Sequence, residues 1–283
     1  MPSGSALARV RRKFRDASVA GNLFLVAVAV VTFLPFYFMF ITSFKTTSQM
    51  RHFFLLPTWP LYVENYAIAF RQVARYLLNT AIVASISVPG VLLFSSLSAF
   101  VFARYSFPGR TFLFYAVISL LMVPSVLTLV PAFMWIKQLG LLNTYWALVF
   151  PYIAGGQVFA IYLLRSFFAT LPEELFDSAA IDGASRFQVY CQIALPLVKP
   201  MVSTLAILNV LSVWNDYIWP LVTLQENRMR TLTIGLSYFQ GQYHTNYGPL
   251  FAGYIIGSLP LFVPFFIGMR AFVRGLTAGA IKM

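Results

Sequence analysis

The sequence predicts an all-α, polytopic membrane protein with six transmembrane helices. Of its 283 residues, 59% are hydrophobic and only 10% are charged, a composition far from that of a soluble globular domain. Six apolar runs are long enough to span a bilayer, at about residues 20–43, 77–102, 111–136, 145–168, 201–223 and 249–273. The first three runs contain no charged residue, and the others contain one each: Arg165, Asp216 and Arg270.

The first apolar run is predicted to be a retained helix. The stretch from Gly21 to Phe44 is longer than the apolar region of a signal peptide, and no small-x-small cleavage site follows it. Residues 1–18 are rich in Arg and are expected to form a cytoplasmic basic tail. Residues 19–283 are then expected to form a single transmembrane domain.

The basic residues predict that both termini lie in the cytoplasm. With that orientation, 13 of the 20 Lys and Arg residues fall in inner segments, as the positive-inside rule expects. The net charge of +12 is therefore explained by topology and by lipid headgroups. A nucleic-acid partner is not expected, since no basic stripe with interleaved aromatics occurs on a soluble module.

A polar segment, residues 169–200, separates the fourth and fifth apolar runs. Half of the eight carboxylates of the chain lie in ten positions of it: Glu173, Glu174, Asp177 and Asp182. Thr170 and Glu173 have the spacing of a helix capping box, and Ser185 and Gln188 have it again. Gly183 between them is suited to end a helix in a turn. The pattern predicts a cytoplasmic helix-turn-helix.

Two interpretations of this segment are open. In one, the carboxylates keep a connecting loop in water; in the other, the segment docks onto a partner protein. The small pair Ala179 and Ala180 favours docking, because small side chains beside a Gly turn allow another backbone to approach closely.

The segment resembles the EAA loop of ABC importer permeases. Asp177, Ala179, Gly183 and the I-x-L-P run at 193–196 fall in the register of that motif, although Asp-Ser-Ala stands where the family has Glu-Ala-Ala. Further stretches resemble the smaller membrane subunit of maltose-type, carbohydrate-uptake importers. They are TSFK (42–45), AFVFARYSFPGR (99–110), WNDYIWPL (214–221) and FVRGLTAGAIKM (272–283), the last with Met283 where the family often ends in Gly.

The resemblance implies that residues 169–200 form a coupling loop that docks into a cytoplasmic ATPase. The implied ATPase-coupling residues are Glu173, Asp177, Ser178, Ala179, Ala180, Asp182 and Gly183. It also implies a bacterial or archaeal cell membrane and three kinds of partner: a second permease subunit, two ATPase subunits and an extracytoplasmic solute-binding protein. The expected solute is a sugar or a related compound, and the sequence does not identify which one.

The chain itself is not expected to be an enzyme. A P-loop requires a Gly-Lys pair, and none of the five lysines follows a glycine. ATP and Mg²⁺ are therefore expected on the partner ATPase, and no cofactor is expected in this chain.

Asp216 is the residue of interest within the membrane, where an ionisable group indicates a functional site. Asn209, Ser212 and Asp216 are spaced to share one face of the fifth helix. They are expected to line the solute pathway or a gate, and a structural hydrogen-bond network between helices is the alternative.

Two other classes of protein remain open from the residues alone. A secondary transporter would use intramembrane charge pairs or broken helices, usually within inverted repeats, and no repeat is evident here. A membrane anchor would recruit a cytoplasmic partner through residues 169–200 without transporting anything.

Overall fold

The structure is a computed structural model that describes the backbone of residues 4–240 and 245–280 and the side chains of residues 21–240 and 245–269. About 80% of the described part of the chain is helical. Within the described residues the only extended pairing is an isolated antiparallel bridge between Gln240 and Thr245. The all-α prediction is therefore confirmed for this part of the chain.

The helices of the described residues follow one another without an intervening sheet. They are α1 (Gly4–Ser43), α2 (Thr47–His52), α3 (Glu64–Arg104), α4 (Arg110–Ser119), α5 (Ser125–Gln138), α6 (Trp146–Phe168), α7 (Glu174–Ile181), α8 (Arg186–Leu197), α9 (Lys199–Asn215), α10 (Ile218–Thr223), α11 (Leu232–Ser237) and α12 (Tyr247–Ala280). The middle of α8, Val189–Ala194, is π-helical. The chain divides into two compact units, Met1–Phe70 with Phe239–Ile256, and Arg71–Tyr238 with Gly257–Met283.

Four helical stretches in the described residues are long and apolar enough to cross a membrane. They are Gly21–Ser43, Glu64–Arg104, Trp146–Phe168 and Tyr247–Met269. Two further pairs pass the same test only together: Arg110–Met122 with α5, bent by 103°, and α8 with α9, bent by 76°. By length and composition, the described residues therefore contain four candidate membrane spans, or up to six if each bent pair is one span.

The third apolar run, predicted as one span over 111–136, is broken. Helix α4 ends at Ser119, a 3₁₀ turn covers Leu120–Met122, and α5 begins only at Ser125. Pro124 explains the break, because a proline disfavours helical backbone in the residue before it, and Val123 is extended at φ −83°, ψ 115°. The predicted span is therefore a pair of helices that meet at a bend beside Pro124.

The fifth run, predicted over 201–223, is also interrupted. Helix α9 ends at Asn215, Asp216 is extended at φ −67°, ψ 130°, and α10 starts at Ile218. Pro220 has no N–H with which to bond the Asp216 carbonyl four residues earlier. The hydroxyl of Thr233 donates to that carbonyl instead, at 2.6 Å.

Helix α6 matches its predicted stretch, whereas α1, α3 and α12 contain their predicted stretches and run further. Helix α1 begins at Gly4, so residues 4–18, predicted as a separate tail, continue the first helix. Helix α3 begins at Glu64 rather than near 77, and α12 extends to Ala280. The length of an apolar run indicates how much of a helix is covered by lipid. The helix itself can continue beyond that part into water.

Within the first unit, the side chain of Lys45 is almost fully buried. Its ammonium group donates to the carbonyls of Phe53 and Phe54, at 2.7 and 3.1 Å, and thereby ties the chain after α2 to the end of α1. Desolvation lowers the pKa of Lys45 from its ordinary value. Asn65 secures the same corner through bonds to the carbonyls of Ser43 and Lys45, both at 2.9 Å.

Within the second unit, an apolar cluster joins α3, α6, α7, α8 and α9. Its centre is Phe100, whose ring meets those of Tyr105, Phe168, Phe176 and Tyr190 at centroid distances of 5.4 to 6.4 Å. The Tyr190 hydroxyl also shares a 2.7 Å hydrogen bond with Ser96. Because these rings come from several helices, the cluster fixes α7 and α8 against the membrane helices.

Candidate functional site

The helix-turn-helix predicted in residues 169–200 is present as α7, a turn and α8. Gly183 has a φ of +76°, in the left-handed region that favours glycine. The turn is closed by hydrogen bonds from the Ala184 N–H to the Ala179 carbonyl, at 2.9 Å, and from the Gly183 N–H to the Ala180 carbonyl, at 3.1 Å. The predicted helix stop at Gly183 is therefore confirmed as local geometry.

One of the two predicted capping boxes is confirmed and the other is wrong. Ser185 and Gln188 cap α8 reciprocally: the Ser185 N–H donates to the Gln188 side chain at 2.8 Å, and the Gln188 N–H donates to the Ser185 hydroxyl at 3.3 Å. Thr170 does not cap α7, because its hydroxyl donates back to the Phe167 carbonyl at 2.8 Å. Thr170 thus completes the end of α6, and α7 starts after Glu173 without a side-chain cap.

The predicted coupling residues divide into an exposed set and one buried residue. The exposed members are Glu173, Asp177, Ser178, Ala180, Asp182 and Gly183. Ala179 is only 6% exposed and packs into the cluster around Phe100. Its small side chain therefore allows α7 to approach the membrane helices of its own chain, where the sequence analysis expected it to admit a partner.

Two large apolar side chains flank the Gly183 turn and are exposed. Ile181 is 87% exposed and Phe187 is 68% exposed, although both belong to helices that are otherwise anchored in the cluster. The sequence pattern did not single out Ile181, because apolar residues occur throughout this chain. Exposed apolar groups beside carboxylates at a loop tip are typical of a protein-docking surface.

Arg104, the last residue of α3, holds this segment in place. Its Nη2 atom donates to the Phe168 carbonyl at 2.7 Å and to the Leu171 carbonyl, and its guanidinium carbon lies 4.1 Å from the centre of the Phe176 ring. Arg104 therefore binds the end of α6, the connector after it and α7 at once. The sequence does not predict this role of Arg104, because its hydrogen-bond partners are more than 60 positions away.

Asp216 lies at the interruption between α9 and α10. One of its carboxylate oxygens, Oδ2, accepts a 2.8 Å hydrogen bond from the hydroxyl of Tyr152 on α6. Beside it is a cavity of ≈ 400 Å³. The lining residues are Ser125, Val126, Thr128, Leu129, Ala132, Pro151, Ser212, Asp216, Ile218 and Trp219.

The structure brings together only two of the three predicted pathway residues. Ser212 and Asp216 both line the cavity, but Asn209 is not part of its wall. The Asn209 side chain donates to the Leu205 carbonyl at 2.8 Å and packs against Gly156 on α6, where an added Cβ atom would lie 2.7 Å from Oδ1 of Asn209. Asn209 thus has the geometry of a contact between helices.

These features define a multi-pass membrane protein with two apolar spans broken beside prolines and a folded polar segment outside the spans. The chain belongs to the family of binding-protein-dependent transport system inner membrane components, whose model matches residues 67–278. It is therefore a permease component of a binding-protein-dependent importer, a multi-pass protein of the inner membrane. The alternatives of a secondary transporter and of a membrane anchor are set aside.

The relatives and a solved structure agree with this membership. The chain is 34% identical to the arabinooligosaccharides transport system permease protein AraQ of Halalkalibacterium halodurans, over 90% of this chain and 93% of the relative. It is 32% identical to the trehalose/maltose transport system permease protein MalG of Thermococcus litoralis, over 91% and 94%. A bacterial ABC transporter involved in alginate import contains a chain with the same fold, at a TM-score of 0.79 and 20% identity, over 92% of this chain and 98% of that one.

Proposed function

We propose that this chain forms one half of the membrane path of an ABC importer for a sugar or oligosaccharide. Family membership supports the importer, and the relatives named for arabinooligosaccharides and for trehalose and maltose support the solute class. The second half of the path is a related permease subunit. An extracytoplasmic binding protein delivers the solute, and both termini of this chain face the cytoplasm.

The helix-turn-helix of α7 and α8 docks into a separate ATPase subunit, which binds ATP and Mg²⁺. The observation that carries this proposal is the exposure of Ile181 and Phe187 beside Asp177 and Asp182 on a segment that is anchored from behind. Apolar side chains fill a groove on the partner, and carboxylates meet basic or dipolar groups around it. Two ATPase subunits serve the two permeases.

A rigid attachment is needed if closure of the ATPase is to move the membrane helices. Arg104 and the cluster around Phe100 supply it, because they connect α7 directly to α3 and α6. Displacement of α7 by the ATPase is therefore expected to shift α3 and α6 rather than to be lost in a flexible loop. The six-span topology belongs to the same proposal: α4 with α5 crosses the membrane once, α9 with α10 crosses it once, and α8 lies outside it.

Co-purification tests the docking surface. The ATPase subunit is expected to purify with the wild-type permease pair and to be lost from it after Ile181→Glu or Asp177→Lys. Glu226→Lys is the matched charge reversal, because this carboxylate lies outside α7 and α8, and it should leave the ATPase bound. Undiminished co-purification of the ATPase with both α7 variants would show that the partner binds elsewhere.

A further inference from the structure

We propose that the cavity beside Asp216 is a binding subsite for an uncharged, hydroxyl-rich solute, so that this chain contacts the transported compound itself. The inference rests on the proposed function. It locates a solute-binding site on the proposed membrane path and says which kind of solute that site binds. At ≈ 400 Å³ the cavity falls within the usual range for small-molecule sites, about 300–1,000 Å³. It is large enough for part of an oligosaccharide chain.

The cavity lies where two membrane spans are broken. Ser125, Val126 and Thr128 of its wall form the first turn of α5, which begins after Pro124 without a side-chain cap. Asp216 on the other side is the residue at which α9 ends. Where a membrane helix is interrupted, backbone N–H and C=O groups are left unpaired within the membrane. Transporters use such breaks for solute binding.

The wall combines the groups that a sugar needs. The hydroxyls of Ser125, Thr128 and Ser212 can both donate and accept, and the Asp216 carboxylate accepts from solute hydroxyls. Trp219 contributes an aromatic surface for the apolar face of a sugar ring. None of the ten residues of this wall is Lys or Arg, so a solute with carboxylate groups would meet Asp216 without a compensating cation.

The polar groups of the wall are held in place before any solute arrives. Tyr152 bonds Oδ2 of Asp216, which leaves Oδ1 for a solute hydroxyl, and Thr233 holds the Asp216 backbone at 2.6 Å. The indole N–H of Trp219 donates to the Ala147 carbonyl at 2.9 Å, which fixes the ring on the wall. Such fixed geometry lowers the ordering cost of binding.

Cysteine protection in the intact complex tests the subsite. The variant Ser212→Cys is assembled into the complete importer, with its ATPase subunits and binding protein. The new thiol is then labelled with a maleimide in nucleotide-trapped membranes. The labelling rate is measured in the presence of ¹⁴C-maltotriose, ¹⁴C-arabinotriose or a uronate trimer. A neutral trisaccharide that the complex transports is expected to slow labelling by about tenfold, as site occupancy of about 90% would do, and the uronate trimer is expected not to slow it. Ser119→Cys, on α4 and outside the cavity wall, is the control and should label equally with and without solute.

The outcomes separate the subsite from the proposed function. If the complex transports a neutral trisaccharide that leaves Ser212→Cys labelling unchanged, the subsite is wrong and the proposed function stands. Protection by the uronate equal to that by the neutral sugars contradicts the chemistry assigned to the wall. If the wild-type complex accumulates none of the sugars, both the subsite and the sugar-importer proposal are overturned.

Discussion

The guanidinium carbon of Arg104 lies 4.1 Å from the centre of the Phe176 ring. Arg104 ends the long helix α3, and Phe176 belongs to the short helix α7 outside the apolar spans. Because the same guanidinium also bonds the carbonyls of Phe168 and Leu171, one side chain joins three parts of the second unit. This connection is the structural reason to expect that α7 and the membrane helices move together.

Arg104→Leu is therefore expected to uncouple the importer without preventing its assembly. The change removes the hydrogen bonds of a charged donor and a cation–π contact, together about 2–4 kcal/mol. Solute uptake per ATP hydrolysed should fall by at least about tenfold, since 1.4 kcal/mol corresponds to a factor of ten. The measurement is uptake and ATP hydrolysis in the same proteoliposomes.

A double-mutant cycle with Phe176→Leu separates the specific contact from loss of charge. If the guanidinium acts through the ring, Phe176→Leu should have little further effect once Arg104 is replaced. Fully additive effects of the two substitutions would mean that Arg104 does not act through Phe176.

Gly183 gives a prediction that depends on backbone conformation alone. A Cβ atom at this position would meet nothing within 4 Å, so the strain of a substitution comes only from the φ of +76°. Gly183→Val is expected to destabilise the turn by more than the ~1–2 kcal/mol that an ordinary residue costs in the left-handed region of backbone conformation. Solute uptake should fall strongly. Gly183→Asn is the matched control, because Asn tolerates left-handed backbone, and it should transport nearly normally. Equal activity of the Val and Asn variants would contradict a role for the turn geometry.

Crosslinking distinguishes the exposed face of α7 from its buried face. Cysteines at Ser178, Ala180 and Ile181 are expected to crosslink to the ATPase subunit in the intact complex. A cysteine at Ala179 is the matched control and should not react, because this position faces the cluster around Phe100. Crosslinks from Ala179→Cys as strong as those from Ala180→Cys would show that α7 presents another face.

The adjacent glycines of α6 predict opposite effects on stability. An added methyl at Gly156 would meet the Asn209 side chain at 2.7 Å and Val91 at 2.8 Å, whereas Gly155 has nothing within 4 Å. Gly156→Ala is expected to destabilise by about 1–3 kcal/mol through overpacking. Gly155→Ala should be neutral or stabilising by up to about 1 kcal/mol, because alanine favours helix. Thermal unfolding midpoints of the solubilised complex compare the pair, and a Gly156 variant as stable as the Gly155 variant would contradict the packing of Asn209.

Features that depend on a few neighbouring residues could be predicted from the sequence. The Gly183 turn and the Ser185–Gln188 capping box are of this kind, and each apolar run falls on a long helix or on a broken pair of helices. The broken fifth run could not be predicted as a span, because the bond that replaces a helical one at Asp216 comes from Thr233, seventeen positions away. The burial of Ala179 likewise depends on packing against α3 and α6, which a local pattern does not contain.

The capping box predicted for Thr170 and Glu173 shows why a local sequence pattern can predict the wrong hydrogen bond. Its spacing to Glu173 is correct, yet the Thr170 hydroxyl is used by the end of the preceding helix at Phe167. A capping residue between two closely spaced helices has two possible partners, and the chain geometry after α6 decides between them.

ATP-driven sugar accumulation in proteoliposomes tests the central claim most directly. The complete complex contains this chain, its permease partner, two ATPase subunits and the binding protein, and the initial rate of labelled oligosaccharide uptake is measured with ATP or with an imposed ion gradient. Uptake is predicted only when ATP and the binding protein are both present, and it should be lost in the Gly183→Val complex although the subunits still assemble. Uptake at the same rate with an ion gradient and no ATP would contradict the account.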